Sequence, residues 1–156
     1  MPSNISKINE FMFEKCYGLT SIGVPSTVKN IDNHAFNECI NLESIALHDG
    51  LTKIAYAAFA DCSSLTSIAI PESVSDIESD VFYGCCALIE MFMPGMTCEF
   101  VKDHAIDWSI GVDFRPYMQG QTLKVHEVIV HCKDGMIVIN EDIEGDDSSS
   151  SDSNNS

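Results

Sequence analysis

The sequence predicts an α/β fold, a solenoid of four 23-residue coils with a parallel sheet, followed by a C-terminal cap and a β-hairpin. Apolar residues recur every 23 positions between Ile8 and about Met93, and their columns stay in register through four copies. A fixed period of this length indicates stacked units, none of which can bury its apolar face alone. The most regular columns are Ile8, Ile31, Ile54 and Ile77; Phe13, Phe36, Phe59 and Phe82; Cys16, Cys39, Cys62 and Cys85; and Leu19, Leu42, Leu65 and Leu88.

The third coil, residues 54–76, shows how one unit is built. Phe59 and Cys62 are expected to point inward from a tight turn or short helix. Ile68 and Ile70 alternate with small or polar neighbours, which is typical of a half-buried strand. Stacked strands lie about 4.8 Å apart, so four coils predict a parallel sheet on the order of 20 Å long.

The run from Leu65 to Ile77, LTSIAIPESVSDI, and the preceding AFADC at residues 58–62 resemble the BspA-type leucine-rich repeat. The resemblance covers about Ile8 to Pro94, and its Ala-Phe-x-x-Cys element is specific. It implies a right-handed leucine-rich-repeat solenoid that carries its strands on one face. The outer coils depart from the pattern, with Met12 and Val81 in place of the alanine, which is typical of terminal repeats.

After Pro94 the period fails, and residues 95–117 are expected to form a cap. Apolar residues spaced three to four apart predict an amphipathic helix from Cys98 to Ser109, ended by Gly111. Residues 112–114 are predicted to form a short strand. A helix and a strand in this position resemble the cap that often ends BspA-type arrays. A cap is needed because the last coil would otherwise expose its core.

Residues 118–143 predict a β-hairpin, because Lys133-Asp134-Gly135 separates two β-rich runs. The hairpin is expected either to pack on the cap or to add strands to the sheet edge. Residues 144–156 are mostly Ser, Asp and Asn, which predicts a disordered acidic tail. The repeats are expected to occupy residues 1–94.

Charge and hydropathy limit the partners. The net charge of −16 argues against nucleic acid and against anionic membrane surfaces, since both bind clustered Lys and Arg. No run approaches roughly 18 apolar residues, so no transmembrane helix is predicted. The first residues lack the basic start and apolar segment of a signal peptide, which favours a cytoplasmic location. The family resemblance implies the alternative, a cell-surface or secreted protein.

No catalytic site, cofactor or metal is predicted. The cysteines of the repeat column fit interior positions beside turn backbone, and we expect all seven cysteines to be reduced, since framework disulfides usually come in even sets. A disulfide between Cys86 and Cys98 near the cap remains an open alternative. The five histidines form no ligand set, and no nucleophile-and-base motif is present.

The outward side of the predicted sheet is the expected partner-binding surface, because solenoids commonly bind proteins there. Phe92 is either an exposed aromatic anchor or a side chain covered by the cap or the hairpin. The expected partner-binding residues are Thr20, Glu43, Ala46, Thr66, Ala69, Glu90 and Phe92.

The first coil is the second candidate site, since nothing obvious lies above it and an uncapped coil exposes strand edge and apolar core. Residues 1–6 or another chain are expected to cover it. The residues expected to mediate self-association into a homo-oligomer are Ile5, Ile8, Phe11 and Phe13.

The sequence therefore predicts a non-enzymatic protein-binding or adhesion module. The family resemblance implies a host or matrix protein as the partner, and this step is analogy, because a fold does not fix a function. The alternative is an intracellular scaffold or a self-assembling structural repeat protein. The absence of a leader and the exposed first coil favour that alternative.

Overall fold

A computed structural model describes residues 1–113 and 124–140 of the chain. The predicted hairpin ends and acidic tail lie outside this part. Within it, no helix is long and apolar enough to cross a bilayer. The elements in chain order are β1 (Lys7–Ile8), β2 (Ser21–Gly23), β3 (Asn30–Ile31), β4 (Ser44–Ala46), β5 (Lys53–Ile54), β6 (Ser67–Ala69), β7 (Asp76–Ile77), β8 (Glu90–Met93), α1 (Cys98–His104), β9 (Val112–Asp113), β10 (Lys124–Val125), β11 (Val128–Cys132) and β12 (Gly135–Ile139).

Each coil contributes two strands, and the predicted solenoid with parallel strands is confirmed. The two-residue strands pair in the order β1-β3-β5-β7, always in parallel and with a 23-residue offset. The longer strands form two parallel pairs, β2 with β4 and β6 with β8. Strand β4 contacts β6 without a pairing ladder between them. The single sheet expected from the repeat is therefore split between the second and third coils.

The segment between the two strands of each coil is a turn rather than a short helix. It places two residues per coil in the left-handed region, at positions 11, 34, 57 and 80 and at positions 15, 38, 61 and 84. Seven of these eight residues are not glycine, although the left-handed conformation favours glycine. Gly84 is the exception, and a Cβ there would clash with the Asp61 carboxylate.

The core follows the predicted columns. Phe13, Phe36, Phe59 and Phe82 stack face to face, with ring centroids 5.2, 5.4 and 6.2 Å apart from one coil to the next. Phe13 is only half-buried, whereas the other three rings are fully buried. The burial of one column thus increases from the first coil inward.

The predicted helix from Cys98 to Ser109 is too long. Thr97 caps α1 by accepting a hydrogen bond from the Phe100 amide, and the helix ends at His104 with Ala105 as its C-cap. The chain then turns, because Ser109 adopts a φ of 59°. Gly111 does not end the helix. Its φ is 74°, and the His126 carbonyl lies 2.9 Å from where its Cβ would be, so it allows a close backbone approach.

This turn replaces the turn of a fifth coil. The Asp80 amide donates to the Asp107 carbonyl at 2.8 Å, and the Phe82 amide donates to the Trp108 carbonyl at 3.0 Å. In earlier coils the equivalent amides donate to the next repeat, as Phe59 does to Val81. The cap therefore continues the backbone ladder without repeating the sequence.

The hairpin adds strands to the sheet edge. Strand β11 pairs in parallel with β8 and antiparallel with β12, which gives the order β12-β11-β8-β6. Val128, Val130 and Ile139 face inward and are buried, and α1 contacts both hairpin strands from that side. Strand β10 pairs with β9 in a separate two-stranded ladder.

Candidate functional site

The outward side chains of the longer strands and the hairpin form one surface, which we call the outer face. Its positions follow the pairing registers, and the 23-residue repeat relates β4 to β6. Small residues occupy β2, β4 and β6, and large residues occupy β8, β11 and β12. From β2 to β12 one row is Ser21, Ser44, Ser67, Glu90, Ile129 and Val138, and the other is Gly23, Ala46, Ala69, Phe92, His131 and Met136.

Of the predicted partner-binding residues, Ala46, Ala69, Glu90 and Phe92 lie in the outward rows, whereas Thr20, Glu43 and Thr66 come directly before β2, β4 and β6. Glu90 is half-buried and the others are exposed. Two of them also connect neighbouring coils through their backbone carbonyls, because Thr20 accepts from the Glu43 amide and Thr66 accepts from the Ile89 amide.

Phe92 is both an exposed aromatic residue and a partly covered one. Its ring stacks on the ring of His131 with centroids 4.6 Å apart and planes 7° from parallel, and 40% of the residue remains exposed. His131 Nε2 lies 2.7 Å from Glu90 Oε1. These two contacts fix the imidazole against the Phe92 ring. Sequence reasoning missed His131, because no pattern in the local sequence indicates that β11 pairs with β8.

Three apolar side chains, Ile129, Met136 and Val138, flank this stack, and together with Phe92 we call them the hairpin patch. All four are exposed, Met136 at 59%. Ile129 and Val138 are a cross-strand pair, and Met136 lies opposite His131 in the row that contains Phe92. Exposed contiguous apolar patches on soluble proteins mark interaction sites. The outer face thus has a small-residue half and an apolar half.

The cysteine column has a structural role. The thiols of Cys39, Cys62 and Cys85 donate to the carbonyls of the phenylalanines one coil earlier, at 3.0, 3.2 and 3.1 Å. Burial raises the pKa of the Cys39 thiol to about 11 and raises those of Cys62 and Cys85 further. These thiols stay protonated at neutral pH, so they act as hydrogen-bond donors rather than as nucleophiles or metal ligands.

The other charged groups form surface ion pairs rather than a reaction centre. Lys53 Nζ lies 2.6 Å from a Glu78 oxygen and 3.5 Å from an Asp76 oxygen. The hydrogen bond from Lys53 lowers the pKa of Glu78, and the same bond raises the pKa of Lys53. Exposed ion pairs of this kind are common and contribute little to the stability of the fold. Among the residues that the structure describes, no cluster of His, Cys, Asp and Glu could hold a metal ion.

The first coil contains the second predicted site, and its four residues differ in exposure. Phe11 is 47% exposed and stacks on His34 with centroids 5.1 Å apart. Ile5 and Phe13 are half-buried. Ile8 is fully buried, so its side chain cannot contact a partner directly, contrary to its place in the predicted edge.

Residues 1–6 do not cover this edge. Thr27 Oγ1 donates to the Ile5 carbonyl at 2.6 Å and to the Ser3 carbonyl at 3.2 Å. The Lys29 amide donates to the Ser6 carbonyl at 2.8 Å. The segment therefore lies beside the second coil and lengthens the first one, and it leaves Phe11 exposed.

The turn backbone at this edge presents hydrogen-bond acceptors, its carbonyls, on the open side. In every turn the amides donate toward the next coil, as Phe11, Phe13 and Lys15 do to residues 33, 35 and 37. The carbonyls of residues 10, 12 and 14 consequently face away from the stack. None of these three carbonyls accepts a hydrogen bond from the residues that the structure describes.

Comparison with known proteins identifies the repeat. A family model described as "BspA type Leucine rich repeat region (6 copies)" matches residues 1–111. A leucine rich cell surface protein from Faecalibacterium prausnitzii A2-165 is similar in structure, with 34% identity and a TM-score of 0.59 over 60% of this chain. The chain covers 25% of that protein. None of the curated proteins has a sequence that matches the chain significantly.

Two further solved structures are similar at lower scores. The T. pallidum Leucine Rich Repeat protein (TpLRR) has 28% identity and a TM-score of 0.48, with 62% of this chain and 59% of that chain covered. A leucine-rich repeat protein from Bacteroides ovatus ATCC 8483 has 23% identity and a TM-score of 0.43, with 58% and 35% covered.

Proposed function

The chain belongs to the BspA-type leucine-rich repeat family, and we propose that it is a non-enzymatic protein-binding module that uses its outer face. The observation that carries this proposal is the hairpin patch, where Ile129, Met136 and Val138 flank the stacked rings of Phe92 and His131, and all four apolar side chains are exposed. Large apolar and aromatic side chains in the centre of an interface contribute most of its binding energy.

The rigidity of the patch supports the same proposal. Its strands belong to the continuous sheet β12-β11-β8-β6, whose inner side packs on the core. Phe92 is fixed by its stack on His131, and His131 is fixed by Glu90. Side chains that are already ordered lose little conformational entropy on binding, so more of the burial energy becomes affinity.

The class of partner is proposed to be an extracellular protein of a host or its matrix, bound in adhesion. The similar protein from Faecalibacterium prausnitzii is described as a cell surface protein, and this description supports an extracellular partner. The chain covers only a quarter of that protein, so the partner is inferred from the family and from the patch chemistry together.

Binding to a panel of purified extracellular matrix proteins, measured by surface plasmon resonance, tests the proposal. Phe92→Ala should weaken binding at least tenfold, and Met136→Ser should weaken it less. Tyr17→Ala is the matched control, since Tyr17 is an aromatic residue of similar exposure in the first coil. Equal effects of Phe92→Ala and Tyr17→Ala, or no binding by any matrix protein, would contradict the proposal.

Self-assembly through the first coil is the second candidate function. The exposure of Phe11 and of its neighbour Met12 favours it. Two such edges would both present turn carbonyls, so their contact would rest on apolar side chains and not on a turn ladder. Light scattering coupled to size exclusion should then show a concentration-dependent dimer that Phe11→Ser abolishes. A monomer at every concentration would remove this candidate.

A further inference from the structure

We propose that Cys98 and Cys132 form a reversible disulfide that links the start of α1 to the hairpin. The structure does not bring Cys98 to Cys86, the pairing that the sequence left open. Cys86 Sγ lies 3.7 Å from the Ser63 carbonyl, in the repeat itself. Both Cys98 and Cys132 are reduced and half-buried in the structure.

The positions of the two thiols follow from the hairpin register. Cys132 and Gly135 are direct cross-strand partners in β11 and β12, so their side-chain positions project to the same side of the hairpin. The Cys98 sulfur lies 3.8 Å from where a Cβ on Gly135 would be. It therefore sits over the Cys132–Gly135 pair.

Backbone contacts hold the two segments in this position. The Cys98 amide donates to a carboxylate oxygen of Asp134 at 2.7 Å, and the Lys133 amide donates to the Met96 carbonyl at 2.8 Å. These bonds join the residues next to Cys98 with those next to Cys132. The cysteines are thus aligned by two hydrogen bonds, donated by the Cys98 and Lys133 backbone amides, in which neither thiol takes part.

The reduced pair differs from the repeat cysteines. Cys39, Cys62 and Cys85 are buried and donate to carbonyls of the preceding coil, so a reagent reaches them poorly. Burial and the neighbouring Cys98 thiol raise the pKa of Cys132. Cys132 is therefore almost wholly protonated at neutral pH and is a poor first nucleophile.

The exchange proceeds in two steps with a low-molecular-weight disulfide as the oxidant. The Cys98 thiolate attacks one sulfur of the reagent, its S–S bond breaks, and a mixed disulfide and one small thiolate result. Cys132 then loses its proton to solvent and attacks the Cys98 sulfur, which releases the second small thiolate. The protein loses two electrons and two protons, and the reagent is reduced to two thiols. A dithiol reductant returns the two electrons and two protons, which restores both cysteine thiols as the dithiol is oxidised to its own disulfide.

The linkage would fix the part of the fold that the sequence repeat does not specify. A disulfide between residues 98 and 132 closes a loop that contains the rest of the cap and β11. Closing a long loop restricts the unfolded chain and so stabilises the folded one. Oxidation should therefore raise the Tm, and reduction should lower it again.

Oxidation of the full chain with oxidised glutathione, followed by non-reducing peptide mapping, tests this proposal. The wild-type protein should lose two of its seven thiols and the mass of two hydrogens, with a single cross-link between the Cys98 and Cys132 peptides. The rate should rise with pH, because Cys132 must ionise in the second step. The matched control is Cys86→Ser, which should oxidise as the wild type does.

The single variants separate the two steps. Cys132→Ser should stop at a glutathione adduct on Cys98, and Cys98→Ser should form no intramolecular cross-link. A cross-link between any other pair in the wild type, or an unchanged loss of two thiols in Cys98→Ser, would overturn the proposal. Because the mapping of the wild type decides the outcome by itself, poor folding of a variant does not affect it.

Discussion

The two ends of the solenoid differ in how the backbone hydrogen bonds of the outermost coil are satisfied. At the C-terminal end the turn amides of Asp80 and Phe82 donate to cap carbonyls, and β11 pairs with β8. At the N-terminal end the turn carbonyls point outward, and Phe11 remains half exposed. The difference teaches that a stack of identical coils has two chemically different ends, one of donors and one of acceptors. Among the residues that the structure describes, a dedicated cap covers only the donor end.

The cap also changes what the molecule can bind. The repeats place only Ser, Gly and Ala in the outward rows of β2, β4 and β6, whereas β8 and the hairpin place large side chains there. Closing the donor end thus creates the hairpin patch. The C-terminal end of the stack, which the cap covers, therefore also presents the stronger candidate binding surface, on the outer face.

The largest expected loss of stability comes from removing the buried Trp108 side chain of the cap. Trp108 is 2% exposed, and its indole nitrogen donates to the Ile77 carbonyl at 3.0 Å. Trp108→Ala should lower the free energy of unfolding by about 3–5 kcal/mol. Phe11→Ala at the open end should lower it by less than about 1 kcal/mol. Urea unfolding measures both values, and similar losses at the two ends would contradict the comparison.

High pH should destabilise the capped interior. Below the ordinary cysteine pKa of 9.0 both folded and unfolded chains carry protonated thiols, so stability is unaffected. Above it the unfolded chain loses protons that buried Cys62 and Cys85 retain, because burial raises their pKa. Each such thiol lowers the free energy of unfolding by up to about 1.4 kcal/mol per pH unit.

Unfolding in urea between pH 8 and pH 10 measures this loss. The Cys62→Ala variant serves as the control, since it removes one of the titrating groups. Its stability should fall less steeply with pH than that of the wild type. A stability that is independent of pH over this range would show that the thiols are not held protonated by burial.

The thiol hydrogen bonds should contribute to stability only in coils that have a preceding coil. Cys62 donates to the Phe36 carbonyl and is fully buried, whereas Cys16 belongs to the first coil and is half-buried. Cys62→Ala should cost about 1–2 kcal/mol, from one hydrogen bond and a small cavity. Cys16→Ala should cost less than about 1 kcal/mol. Thermal and urea unfolding of the two variants at neutral pH will detect this difference. Equal costs would mean that the bond to the preceding coil contributes nothing.

The smallest effect should be a gain. Lys15 is exposed and has a φ of 59°, in the same repeat position that Gly84 occupies in the fourth coil. Lys15→Gly should stabilise the protein by about 0.5–1 kcal/mol, because glycine adopts this conformation without strain. Gly84→Ala should do the opposite, since its Cβ would clash with Asp61. Differential scanning calorimetry can measure both shifts in Tm. A loss of stability in Lys15→Gly would contradict the strain argument.

The sequence predicts the repeats well, because each column carries the same local information four times. The inward Phe59 and Cys62 and the alternating Ile68 and Ile70 are buried as their pattern indicates. The one exception in the repeats is the split between β4 and β6, which no column of apolar residues foretells.

The cap is predicted less well, because tertiary contacts decide it. The apolar spacing continues to Trp108, but the backbone leaves the helix at Ala105 to place the carbonyls of Asp107 and Trp108 against the fourth coil. Local periodicity contains no information about that requirement. For the same reason the sequence left Cys86 open as a partner of Cys98, whereas the hairpin register brings Cys132 there.

The candidate site was predicted in outline only. The outward rows follow from the alternation along each strand, and Phe92, which the sequence suggested as a candidate anchor, lies in one of these rows. The side chains that complete the patch, Ile129, Met136 and Val138, come from a hairpin that was expected either on the cap or on the sheet edge. The parallel pairing of β11 with β8 places the hairpin at the sheet edge, where it also packs on α1 of the cap.

Amide hydrogen exchange with and without the tightest-binding matrix protein tests the central claim most directly. The account predicts that binding slows exchange in β8, β11 and β12, around the hairpin patch, and leaves residues 5–13 of the first coil unchanged. Protection confined to residues 5–13, with unchanged exchange in the hairpin, would contradict it and would place the binding surface at the open end.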